Sequence, residues 1–137
     1  MMAKYESITK YIPLIENGNF GDWAPLKVDS DDVTQMPYVD YSDLIMDFLR
    51  DFYAYMTASA PFLRDYQVIL AKYLGAGWNI DRLPNVDVTS ANEELTLALI
   101  MTVLRADRFA EGTLLHFLKN GRILAWLKHL QELDVQK

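Results

Sequence analysis

The stretch Ser90–Phe109, "SANEELTLALIMTVLRADRF", decides the fold. From Leu95 to Leu104 it is almost continuously apolar, so it reads as a helix buried on most of its sides. Ser90 and Glu93 stand three apart just before the run. That spacing predicts a capping box, in which the Ser90 side chain accepts from the Glu93 amide and Glu93 reaches back. The run ends in "RADRFAEG", Arg105–Gly112, where four charged side chains crowd the end of a buried helix.

On a continuing helix Arg105 and Arg108 lie on nearly one side, as do Arg108 and Glu111, while Asp107 and Glu111 are four apart. Phe109 is expected to continue the apolar face. Gly112 allows a sharp turn, and Thr113 is placed to cap the next helix. Two readings stay open. In one, the arginines satisfy carboxylates and loop carbonyls at a helix C-terminus, where positive charge is favoured. In the other, Arg105 and Arg108 bind an anion, with Glu111 orienting one of them. General acid–base catalysis needs both a positioned acid and a base, and only one acidic residue here has a clear claim, so the balance leans against an enzyme.

Outward from this segment the chain continues as helix. Leu114, Leu115, Phe117 and Leu118 face inward on one segment. Asn120–Gly121 stops it, and Ile123, Leu124, Trp126, Leu127, Leu130 and Leu133 drive the last. Upstream, "DLIMDFLRDFYAYMTAS" shows a broad apolar face of Leu44, Ile45, Phe48, Leu49, Phe52, Tyr55 and Met56. Asp40 or Ser42 is expected to cap it. Pro61 opens another helix with Phe62, Tyr66, Ile69, Leu70 and Tyr73 inward. The first segment places Ile8, Ile12 and Ile15 a turn apart, with a kink or boundary at Pro13 and Gly18 as a left-handed stop. Residues 19–40 and 75–89 read as two long irregular loops. Phe20 and Trp23 anchor the first, with a short extended piece in "VTQMPYV", and Trp78, Ile80 and Leu83 anchor the second. The fold class is therefore all-α: a single compact, irregular or orthogonal bundle of five or six helices spanning 1–137.

The 137 residues are 51% hydrophobic and 12% aromatic, enough for a core and unlike a disordered chain. Zero cysteines exclude disulfides, thiolate metal sites and a cysteine nucleophile. Neither a signal peptide nor a membrane span is read, which makes a cytoplasmic protein the expectation. The net charge of −6 is uneven: residues 1–104 carry −8 and residues 105–137 carry +2. An acidic body disfavours nucleic acid. A basic C-terminal helix with Lys119, Arg122, Lys128 and His129 keeps a limited version of that reading.

Other constellations are weaker. Asp43, Asp47 and Asp51 form an acidic stripe, either solvated with relief from Arg50 or docking on a basic partner. "DSDD", Asp29–Asp32, lacks the glycine and glutamate of a calcium loop. His116, read as partly buried, and His129 lie on separate helices without further ligands. No phosphate loop or nucleophile elbow is present, and no cofactor or metal is expected.

The segments "FGDW", "MPYVDYS", "RADRFAEG" and "NGRI" together resemble a family of small bacterial and phage-borne proteins known as a domain of unknown function. The resemblance touches most of the chain and implies one helical domain, with no substrate, cofactor or partner. Family members place a cysteine and a histidine where this chain has Ala110 and Thr113, so any redox or metal chemistry at those positions is absent here. The leading expectation is a non-enzymatic protein-interaction or regulatory module, of phage or mobile-element origin, acting on a protein partner or on itself. A Tyr/Met-rich helix at 41–57 suits a homodimer. The alternatives are a small anion- or nucleotide-binding protein or weak enzyme using Arg105, Arg108 and Glu111, and nucleic-acid binding through the basic helix.

Overall fold

The helix read from "LTLALIMTVL" is the centre of the structure. The computed structural model describes residues 4–23 and 38–135. Seven α-helices occur among them: α1 (Glu6–Thr9), α2 (Ile12–Asn17), α3 (Asp43–Ser59), α4 (Tyr66–Leu74), α5 (Glu93–Ala106), α6 (Thr113–Lys119) and α7 (Arg122–Val135). All ten residues from Leu95 to Leu104 are buried, because α5 packs against α4, α6 and α7 at once. Around it one apolar cluster gathers Phe48 and Phe52 of α3, Leu70 of α4, Leu114 and Phe117 of α6, and Trp126, Leu127 and Leu130 of α7. The mostly helical class stands as expected.

The count exceeds five or six because the first segment splits. The chain breaks around Lys10–Tyr11, and Pro13 sits in the first turn of α2, where a missing N–H costs nothing. Gly18 is not a left-handed stop: its φ of −94° and ψ of 164° are extended.

Three local expectations fail for identifiable reasons. The capping box is displaced: α5 begins at Glu93, and Asn92, not Ser90, is the cap, its Oδ1 accepting from Leu95 N at 2.9 Å. Asn92 also donates through Nδ2 to the Tyr73 hydroxyl at 2.8 Å, and the preceding Ala91 is buried. Tertiary contacts thus choose between two good capping residues. By contrast Ser42 caps α3 as read, accepting from Ile45 N. Removing a cap costs about 1 kcal/mol. The Asn92→Ala variant is therefore expected to melt earlier than wild type and Ser90→Ala to melt unchanged, and equal melting of the two would restore the capping box.

Second, Pro61–Asp65 is a 3₁₀ helix, so α4 starts only at Tyr66. With three residues per turn in place of 3.6 the face shifts: Leu63 is buried and Phe62 is exposed. Third, residues 19–40 are not wholly irregular. Strands β1 (Gly21–Trp23) and β2 (Val39–Tyr41) pair antiparallel, Trp23 opposite Val39 and Gly21 opposite Tyr41. "DSDD" and most of "VTQMPYV" lie outside the described residues. In the second loop Leu83 is buried and Trp78 and Ile80 are partly so, as read.

The two ends of the fold meet. The Asp134 carboxylate near the end of α7 accepts from the backbone amides of Lys4 at 3.1 Å and Tyr5 at 3.0 Å. Tyr5 is itself buried against Tyr55.

Candidate functional site

"RADRFAEG" does not continue α5. The helix ends at Ala106, and residues 107–112 form a tight turn into α6. Asp107 holds this turn. Its Oδ1 accepts from Leu114 N at 3.0 Å, from Gly112 N at 3.2 Å and from the Tyr41 hydroxyl at 2.9 Å. The Tyr41 oxygen in turn accepts from Leu115 N at 3.2 Å. Two of the first amides of α6 are thus satisfied by an aspartate seven residues back and a tyrosine from the hairpin. Burial, followed by the hydrogen bond to Asp107, pushes the Tyr41 hydroxyl well above its ordinary pKa, so it stays a donor. Thr113 is not the cap of α6. That position is Gly112, at φ +91°, and the Thr113 hydroxyl donates to Ala110 O.

The turn changes the phase of the sequence, and this reverses the reading of Phe109. It leaves the apolar face and stands 88% exposed, the most exposed large hydrophobic side chain among the described residues. Trp23 of β1 stands against the same turn, at Gly112. Its ring lies on the Cα face of Gly112, where a Cβ would fall 2.3 Å from Cζ2, and it remains 47% exposed. Phe20, just before that strand, is partly buried and packs against the core. "FGDW" and "RADRFAEG", some ninety residues apart, therefore build one surface.

The remaining charges are arranged around it. Arg105 is half-buried, and Arg108 and Glu111 are exposed. The Arg108 guanidinium lies over the Tyr53 ring, 5.6 Å from its centroid. Among the described residues no ion pair joins Arg108 to Glu111. These side chains are neither a mutually buried pair nor the lining of the two cavities that adjoin Phe62–Glu94 and Trp78–Arg82.

The acidic stripe of α3 is partly engaged. Asp43 is exposed, and Asp47 pairs with Arg50 at 3.2 Å. Asp51 meets Lys10 at 3.2 Å and Arg50 at 3.4 Å and accepts from the Tyr11 hydroxyl. The Tyr11 hydrogen bond, ahead of the two cations, lowers the Asp51 pKa. A carboxylate depressed by folding stabilises the fold above its unfolded pKa, about 3.9, and loses that contribution as pH falls through the lower folded value. The Asp51→Asn variant is expected to be less stable than wild type near neutral pH, with the difference shrinking as pH drops below about 4. Urea midpoints across that range measure it, and a difference independent of pH contradicts the linkage.

Of the basic residues read at the C-terminal end, Lys119 closes α6 and is exposed, Arg122 opens α7 and is exposed, and Lys128 of α7 pairs with Glu16 at 3.2 Å. His129 is buried, its Nε2 on the Ala91 carbonyl at 2.7 Å, which ties α7 to the approach of α5. His116 is exposed, not partly buried, with its ring edge-on to Phe117. Among the described residues no group of three or more histidines and carboxylates is placed to hold a metal ion. Nor is any helix among them long and apolar enough to cross a membrane.

No curated protein and no solved structure matches the chain significantly. A family model does, over residues 1–135, and its span takes in both halves of the Trp23–Phe109 surface. The chain belongs to that family, DUF6508, a family of unknown function.

Proposed function

We propose that this chain is a binding module that docks a protein partner, or a second copy of itself, on the α5–α6 turn. The observation that carries the reading is Phe109, a large aromatic ring held in solvent by a turn fixed through Asp107. An exposed aromatic costs solvation, and rigid aromatic and arginine side chains are the usual anchors of an interface. The same turn carries the exposed Arg108 and, against Gly112, the Trp23 ring, which supply both types. The surface projects outward, which suits a macromolecular partner better than a small substrate. The engaged Lys128 and buried His129 leave less of the basic helix for nucleic acid. The proposal keeps a non-enzymatic, cytoplasmic, single-domain protein, and the exposed part of the Asp43–Asp47–Asp51 stripe as an auxiliary contact.

A photo-crosslinking residue at position 109 tests it in cells, alongside light scattering of the purified chain. One discrete crosslinked species is expected, heterologous or dimeric. With that partner in hand, Phe109→Ala is expected to weaken binding by about 2 kcal/mol, roughly thirtyfold, while thermal stability stays within about 0.5 kcal/mol. A strictly monomeric protein without a crosslinked product overturns the reading.

A further inference from the structure

A second feature lies away from the Phe109 surface, where α4 runs into the loop before α5. Its C-cap Gly75 has φ +92°, and the 3₁₀ helix Ile80–Asn85 that follows packs on α5. Beside them is a cavity of about 260 Å³ whose aliphatic lining, Leu74, Leu83 and Val86, is buried or partly buried and so forms its floor. Trp78, also in the lining, is partly buried, and Asn79 and Arg82 are exposed, which puts them at the mouth. The lining holds one cation and no carboxylate, in a chain of net charge −6. Among the described residues no ion pair involves Arg82.

From this geometry we infer a binding site for a small aromatic carboxylate. At roughly 30 Å³ per water the volume equals about nine waters, which suits a single ring. The ring lies along Trp78 over the aliphatic floor, where its apolar area leaves water. The carboxylate takes the planar fork of Arg82 at the mouth, the pairing for which a guanidinium is shaped. Charge sets the ligand class: a neutral ring leaves the fork unused, and an acid without a ring leaves the floor wet.

Gly77 makes the inference testable. It lines the cavity, its backbone is outside the left-handed region, and a Cβ built on it meets nothing within 4 Å. A leucine there adds an apolar side chain at the cavity lining without pressing on the fold. The experiment is an amide and indole NMR titration of the full chain with sodium benzoate, benzamide and acetate at constant ionic strength. Benzoate is expected to give saturable shifts at the Trp78 indole and at Asn79 and Arg82, benzamide to need about tenfold more, and acetate to give none. Gly77→Leu is expected to abolish the saturable shifts with the rest of the spectrum preserved. Arg82→Gln should weaken benzoate about tenfold and leave benzamide unchanged. Shifts that never saturate, that persist in Gly77→Leu, or that ignore charge overturn the inference. If Gly77→Leu does not fold, the benzamide and Arg82→Gln comparisons decide alone.

Discussion

Replacing Asp107 with alanine is expected to lower stability by about 3 kcal/mol. One carboxylate oxygen accepts three hydrogen bonds there, two of them from amides that open α6. Each donor left unsatisfied in a buried setting costs about 1–3 kcal/mol. The site is half-buried, so water recovers part of that and the sum stays near the lower end. For a chain of this length the melting temperature should fall by roughly 10 °C. Asp107→Asn keeps an oxygen at the same place and should lose about 1 kcal/mol, the charge-assisted part alone. Tyr41→Phe removes the third donor and the acceptor for Leu115, so it should approach the asparagine value. Thermal denaturation of the three variants checks the order, and equal losses in Asp107→Ala and Asp107→Asn would show that the oxygen is not the knot.

The second large effect belongs to Gly112. A side chain at φ +91° costs about 1–2 kcal/mol by itself. A Cβ there would also overlap the Trp23 ring, which must lift from the turn. Gly112→Val is expected to lose about 3 kcal/mol or more, because β-branching worsens both problems. The two parts separate in a double-mutant cycle. In a Trp23→Ala background the overlap is gone, so Gly112→Ala should cost only its backbone share, about 1–2 kcal/mol. Strict additivity would mean that the ring does not rest on this glycine. The same variants alter the proposed docking surface, so binding defects in them must be read against the folded fraction, unlike those of Phe109→Ala.

How much of this was legible follows from the range of the forces involved. Helical period alone places the buried faces of α3, α5, α6 and α7, since each carries its own apolar stripe. Ser42 is legible because a cap is a contact of three residues. Asn92 over Ser90 is not, since both are good caps and Tyr73, nineteen residues away, favours one. Strands of three residues are too short to show a period of two, so the hairpin left no pattern. At the candidate site the charged cluster was visible but its centre was not. Attention falls naturally on Arg105, Arg108 and Glu111, whereas Asp107 gains its importance from Tyr41, sixty-six positions upstream. Phe109 looked like core only while α5 was taken to run on, and ending the helix at Ala106 turns the ring outward. A cue was present: an aspartate five residues before a glycine, at the end of a helix, is spaced to bridge a turn.

The Asp134 clamp bears on the order in which this fold assembles. The amides of Lys4 and Tyr5 have their acceptor 130 and 129 positions downstream; α2 packs on α7, and α1 packs on both α3 and α7. In a chain leaving the ribosome at about 5–20 residues per second, α3 is available to α1 several seconds before α7 is. Such short helices are marginal alone. The contacts of the N-terminal segment with α3 therefore need only nearby chain, whereas the Asp134 clamp and the seat of α2 wait for the last helix.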